Sequence, residues 1–106
     1  MPKYLFAASY SAEGAKGLLQ EGGSSRRTMA DKMVADAGGS VECMYFAFGD
    51  TDVYLIADLP DAASATAVSL TASSSGAVQV KTVPLISVEE VDEAARKSVL
   101  YRPPGS

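Results

Sequence analysis

The middle of the chain holds two short apolar segments separated by only a few residues, and this pair restricts the possible folds more than any other feature. Residues 41–48 (VECMYFAF) and 52–58 (DVYLIAD) are rich in β-branched and aromatic residues. The residues Gly49, Asp50 and Thr51 between them are typical of a tight turn. The pattern predicts two neighbouring antiparallel strands at the centre of the chain.

The segments on either side of this hairpin complete an alternating order. Strands are predicted at residues 3–9 and 78–86, and helices at residues 26–37 and 62–75. Ser25 and Asp61 are expected to cap the two helices, because their side-chain oxygens can accept from free N–H groups of a first turn. Residues 11–23 predict only a weak helical turn, because glycine disfavours helix by about 1 kcal/mol relative to alanine.

The segment after the fourth strand has the clearest helix signals. Ser87 and Glu90 fit a capping box, in which each side chain bonds to the backbone of the other residue. Acidic residues follow Ser87 and basic residues come last, an order that complements the helix dipole. The predicted apolar stripe consists of Val88, Val91, Ala95 and Val99. Residues 1–100 are therefore predicted as one domain, and residues 101–106 as an extended or disordered tail.

The predicted order is βαββαβ followed by a C-terminal helix. Right-handed connections place the four strands in one antiparallel sheet with the two main helices on one face, which is an α+β, ferredoxin-like fold. Strict alternation in the second strand puts Val41, Cys43, Tyr45 and Ala47 on one face and Glu42, Met44, Phe46 and Phe48 on the other, so both faces are largely apolar. The helices cover one face, and we expect a second copy of the chain to cover the other in a homodimer or higher homo-oligomer.

Composition excludes several classes of function. The chain has 9 lysine and arginine residues against 13 acidic residues, a net charge of −4, which argues against nucleic acid or an anionic membrane as partner. It has no histidine, so mechanisms that use a histidine as base, as haem ligand or as metal ligand are excluded. Its single cysteine, Cys43, fits a reducing cytoplasm and is expected to be a small buried hydrophobe. We predict no signal peptide, no membrane span, no cofactor and no metal.

The stretch "VECMYFAFGDTDVYLIADLPD" resembles the GYD-domain family, small bacterial and archaeal proteins of the dimeric α+β barrel group. Tyr45 matches the family's aromatic residue near the end of the second strand. The turn residues Gly49, Asp50, Thr51 and Asp52 occupy the places of the family's Gly-x-Tyr-Asp pattern, with Thr51 where the family has tyrosine. The resemblance implies the fold and a dimer, and it implies no activity.

The turn itself is predicted to be structural. Gly49 and Asp50 can supply the positive φ angles of a two-residue hairpin turn, and Asp52 can accept backbone N–H bonds. The alternative is that Asp50 and Asp52 bind a cation. Two carboxylates without a third ligand make a poor metal site.

One stretch carries a binding hypothesis. In "GGSSRR", Ser24, Ser25, Arg26 and Arg27 add donors and charge to the free N–H groups of a helix start, a combination that can bind an anion. The alternative is a solvated helix cap with two surface arginines. Four tyrosines lie on predicted strands, at positions 4, 10, 45 and 54, and alternation puts Tyr4, Phe6 and Tyr10 on one face. These tyrosines are expected in the core or at the dimer face; the alternative is that they line a pocket between sheet and helices, for which Tyr45 is a candidate ligand-binding residue. The small side chains of residues 62–75 leave room for such a pocket, but small residues also allow helices to pack closely.

These patterns lead to a first hypothesis and two alternatives. The first is a small oligomeric protein without catalysis that binds a small apolar or anionic molecule between sheet and helices. The second is a cofactor-free oxygenase or isomerase, which would need a carboxylate, tyrosine or lysine in the pocket as base. The third is a structural assembly module, which predicts a filled interface between sheet and helices.

Overall fold

The computed structural model describes residues 1–106 as an α+β domain with four strands and four helices. In chain order these are β1 (Lys3–Tyr10), α1 (Ala12–Glu21), α2 (Gly23–Asp36), β2 (Ser40–Phe46), β3 (Val53–Asp58), α3 (Ala62–Ser74), β4 (Val78–Leu85) and α4 (Val88–Arg96). The strands form one antiparallel sheet in the order β2-β3-β1-β4. The predicted ferredoxin-like fold is therefore confirmed.

The core lies between the sheet and the helices α2 and α3. Its buried side chains come from β1 and β3, from α2 and α3, and from the segment after β3. They are Tyr4, Phe6, Val34, Leu55, Ala57, Leu59 and Ala65. Alternation along β1 and β3 sends every second residue to this face, which is why aromatic and branched residues at these positions predict the core.

A β-bulge in β2 interrupts the alternation expected from the sequence. Val41 pairs with Ala57, whereas the next paired residue, Cys43, lies opposite Ile56. Glu42 is therefore the extra residue, and the residues after it are shifted by one relative to the alternation before it. The prediction that Val41 shares a face with Cys43 and Tyr45 is wrong for this reason.

The bulge sorts the side chains of β2 by polarity more cleanly than strict alternation would. The face covered by helices has Val41, Met44 and Phe46, and the opposite face has Glu42, Cys43 and Tyr45.

On that opposite face, Lys3 donates from Nζ to the carboxylates of Glu42 and Asp58, and these hydrogen bonds raise the pKa of Lys3 above its usual value. We call the uncovered side of the sheet the open sheet face; its apolar members are Leu5, Ala7, Tyr45, Tyr54, Ile56 and Val83.

The first two helices begin elsewhere than the sequence predicts. Residues 12–21 form a complete helix, capped by the Ser11 hydroxyl, which accepts from the Gly14 N–H at 3.2 Å. Helix α2 then starts at Gly23, after Gly22 with a φ of 82°. Ser25 is therefore inside the helix and is not its cap, contrary to the prediction. Packing of α1 against the sheet overrides the weak helix propensity of its glycines.

The two later caps are as predicted. The Asp61 carboxylate accepts from the Ser64 N–H at 2.8 Å, and this bond lowers the pKa of Asp61 below its usual value. At the start of α4, Ser87 and Glu90 form both hydrogen bonds of the capping box. These caps depend only on neighbouring residues, which is why the sequence predicts them correctly.

The hairpin loop is longer than predicted, because residues 47–52 separate β2 from β3. Positive φ falls on Phe48, at 57°, and Gly49 does not have it, so the predicted two-residue turn at Gly49 and Asp50 is wrong. The Phe48 ring stacks on the Phe46 ring, with 5.9 Å between centroids. This contact accompanies a backbone conformation that a bulky residue rarely adopts.

Helix α4 projects from the body of the domain. All its residues are exposed, including Val88 and Val91 of its apolar stripe, and residues 97–106 contain no helix or strand. The radius of gyration is 16.8 Å, against about 13 Å for a compact domain of this length. None of the four helices combines the length and the hydrophobicity needed to cross a bilayer.

Candidate functional site

A cavity of about 100 Å³ lies between the sheet and the helices α2 and α3. All four strands contribute to its wall, and 13 of its 14 lining residues are hydrophobic. Aromatic side chains come from β1, as Phe6 and Tyr10, and methionines come from α2 and β2, as Met33 and Met44. The wall therefore presents an apolar and adaptable surface, since methionine side chains fill irregular gaps.

The composition of α3 explains why the space is open. This helix consists of alanine, serine and threonine apart from Val68 and Leu70, and Leu70 points to solvent. Only Val68 and Ala72 of α3 reach the cavity. Of the two outcomes expected for a helix of small residues, open space or close packing, the structure has open space beside this part of the sheet.

Arg26 is the only charged residue in the cavity wall. It belongs to the first turns of α2, and its side chain is about one third exposed, at 35%. Its guanidinium Nη1 lies 3.8 Å from Oε2 of Glu21, the last residue of α1. That separation is an ion pair but is too long for a hydrogen bond. The guanidinium therefore keeps hydrogen-bond donors for another partner.

A more polar cleft adjoins the cavity on the side of α1. It measures about 320 Å³, and Glu13 and Glu21 contribute carboxylates to its wall. The cleft and the cavity share Tyr10, Arg26 and Met33, together with Ala72 and Val78. Arg26 and Tyr10 therefore stand at the boundary between an apolar interior and a polar entrance.

The hairpin loop fixes the position of Tyr10. The Tyr10 N–H donates to Oδ2 of Asp52 at 2.8 Å, and the Asp52 N–H donates to the Ala8 carbonyl at 2.8 Å. The Ser9 hydroxyl donates to the Asp50 carbonyl at 2.8 Å. These bonds fasten the loop to the end of β1. Asp52 therefore accepts a backbone N–H as predicted, from the neighbouring strand and not from within the turn.

Replacing Asp52 by alanine is expected to lower the free energy of unfolding by about 1.5–3 kcal/mol, because the Tyr10 N–H would lose a hydrogen bond to a charged acceptor. Urea unfolding followed by circular dichroism measures this. Asp50→Ala is the matched control, since Asp50 contributes only its backbone carbonyl to the loop, and it should leave the midpoint nearly unchanged. Equal midpoints for Asp52→Ala and the wild-type chain would contradict the assigned bond.

The residues of the anion hypothesis do not converge on one point. Arg27 pairs with Asp31 one turn later in α2, with 3.0 Å between Nε and Oδ1. Ser24 and Ser25 are exposed within α2, and Ser25 borders a polar surface depression together with Arg26 and Lys32. Of the stretch "GGSSRR", only Arg26 reaches the cavity. Anion binding by the other three residues stays a prediction.

Tyr45 lies on the other side of the sheet from the cavity. It pairs with Tyr54 on the open sheet face and is 70% exposed. A ligand at Tyr45 would therefore contact the open sheet face, and its role in binding stays a prediction. Tyr10 lines the cavity on the same face as Phe6, as the alternation along β1 predicts, whereas the bond from its N–H to Asp52 was not predicted.

The chemistry available in the cavity is limited to a few polar groups. Among carboxylates, tyrosines and lysines, Tyr10 alone lines it, so the oxygenase or isomerase alternative depends on Tyr10 as base. No group of three or more histidine, cysteine, aspartate or glutamate residues comes together. The Asp52 carboxylate is already bonded to the Tyr10 N–H, which argues against the cation-binding alternative for Asp50 and Asp52.

Strand order and a single helix-covered face define the chain as a ferredoxin-like α+β domain, and the apolar cavity lies between the sheet and its helices. Residues 4–95 match the GYD domain family, from β1 into α4, and the chain belongs to this family. The resemblance expected from the sequence is thereby confirmed. No curated protein and no solved structure matches the chain.

Proposed function

We propose that this GYD-domain protein binds a small, mostly apolar molecule in the cavity between sheet and helices. The observation that carries the proposal is an open volume of about 100 Å³ with 13 hydrophobic lining residues out of 14. Ligand sites are typically concave, apolar and equipped with few polar groups. An apolar cavity of about 150 Å³ holds benzene, so the buried part of the ligand is about the size of one ring or a short branched chain.

Unfilled apolar space also has a cost in stability, about 24 cal/mol per Å³ where a cavity is fully enclosed. A larger residue at Ala72 or Ala30 would remove that cost if stability alone mattered. A ligand that fills the space recovers contacts that the empty wall lacks.

Toluene is a suitable probe for the cavity, and it is expected to raise the thermal unfolding midpoint of the wild-type chain. Stabilisation reaches about 2.7 kcal/mol when the probe is at 100 times its dissociation constant. Ala72→Phe places a ring in the cavity and should abolish the shift. Ala63→Phe is the matched control, because Ala63 is an exposed residue of the same helix and should leave the shift intact.

Two outcomes would contradict the proposal. One is a wild-type midpoint that toluene does not raise. The other is an Ala72→Phe variant that is folded by circular dichroism and still responds like the wild-type chain.

We also propose that two copies associate through their open sheet faces. Supporting this, the face exposes Tyr54 of the inner strand β3 at 43%, and Tyr45 and Val83 of the two edge strands at 70% and 42%. Its ion pairs, around Lys3, lie at one end of the sheet, so they can remain hydrated at the rim of an interface. Val88 and Val91 of α4 are 75% and 50% exposed within one chain and would extend the same interface.

A further inference from the structure

We infer that the ligand of the cavity is a small monocarboxylate whose apolar body occupies the cavity and whose carboxylate binds Arg26. This inference rests on the proposed function and adds the chemical class of the ligand. It is carried by the position of Arg26, the only charged member of an otherwise hydrophobic wall, at the boundary with the polar cleft.

The guanidinium of Arg26 has an ion-pair partner within its own chain but no hydrogen bond to it. Its ion-pair partner, Glu21, is 3.8 Å away, whereas Arg27 holds Asp31 at 3.0 Å. A partly buried cation beside an apolar wall loses hydration without gaining a hydrogen bond in return. A carboxylate on a ligand can supply two parallel bonds, since the planar guanidinium presents paired donors.

The surroundings of Arg26 set the orientation of the ligand. On the sheet side are hydrophobic residues such as Val53 and Leu55, which cannot accept a charge. On the α1 side is the polar cleft, where the Glu21 side chain is 53% exposed and free to move into solvent. The carboxylate of the ligand therefore replaces Glu21 as the partner of Arg26, and the rest of the molecule extends inward.

The shape of the cavity limits the apolar part. A volume of about 100 Å³ is smaller than the roughly 150 Å³ cavity that holds benzene, so the buried part is at most about one ring or a short branched chain, and a long acyl chain is excluded. The ligand class is thus an aromatic or branched-chain monocarboxylate. A neutral molecule of the same size binds the cavity without using Arg26, and an amine of the same size meets an unfavourable charge there.

Benzoate and toluene form a matched pair of probes, because both carry one ring and only benzoate carries the charge. We expect isothermal titration calorimetry to show that the wild-type chain binds benzoate about 10- to 100-fold more tightly than toluene. In Arg26→Gln this advantage should be lost, so that the ratio of benzoate to toluene affinity falls to about one. Arg27→Gln is the matched control and should bind both probes as the wild-type chain does, because Arg27 pairs with Asp31 outside the cavity.

The outcomes separate this inference from the proposed function. If toluene binds and benzoate binds no better, or if Arg26→Gln retains the benzoate advantage, the carboxylate assignment is wrong while the cavity proposal survives. If neither probe binds the wild-type chain, both proposals fail. Arg26→Lys provides a second variant should Arg26→Gln not fold; it keeps the charge without the paired donors, and an undiminished preference for benzoate would contradict the two-bond geometry.

Discussion

Gly14→Ala is expected to lower the free energy of unfolding by about 1–3 kcal/mol, although alanine is the better helix former. A Cβ atom at this position would lie 2.1 Å from the Ala77 carbonyl oxygen and 2.9 Å from Cδ1 of Tyr10. The carbonyl cannot easily withdraw, since it accepts from the N–H and the hydroxyl of Ser11. Helix α1 would therefore have to move away from the sheet.

The same helix contains its own control. A Cβ atom added at Gly17 would have no other atom within 4 Å. Gly17→Ala should therefore stabilise the chain by about 0.5–1 kcal/mol through helix propensity alone. Chemical denaturation of both variants measures the contrast. Equal midpoints for Gly14→Ala and Gly17→Ala would show that α1 does not depend on close approach at Gly14. The new Cβ would also displace the ring of Tyr10, which lines the cavity, so Gly14→Ala should weaken toluene binding.

Tyr54→Lys is expected to convert the proposed homodimer into a monomer. Tyr54 lies on the open sheet face, on an inner strand, and is 43% exposed within one chain. In a two-fold symmetric interface the substitution occurs twice, and each lysine would be buried without a partner. An uncompensated buried charge costs about 3–5 kcal/mol, so the dissociation constant should rise by at least about 100-fold.

Sedimentation at micromolar concentration distinguishes the two states. Leu19→Lys is the matched control, because Leu19 is an apolar residue on the exposed side of α1, 88% exposed and away from the open sheet face. It should leave the mass of the wild-type assembly unchanged. A wild-type chain that sediments as a monomer, or a Tyr54→Lys variant that stays dimeric, would refute association through this face.

Local sequence signals determined the elements that depend on neighbouring residues. The order of strands and helices follows from hydrophobic periodicity, and the caps at Asp61 and Ser87 follow from side chains that bond three residues ahead. The small side chains of α3 indicate open space beside the sheet for a similar reason, because the total side-chain volume of a helix follows directly from its composition. The family resemblance rests on the same local patterns.

Only the tertiary structure decided the features that depend on residues far apart in the chain. The bulge at Glu42 is a property of the pairing between β2 and β3. It puts Val41 and Cys43 on opposite faces of the sheet. The complete helix α1 forms because packing outweighs the propensity of its glycines. The sequence alone does not distinguish the two adjacent arginines. In the folded chain Arg26 lines the cavity and Arg27 pairs with Asp31, because neighbouring residues of a helix point about 100° apart.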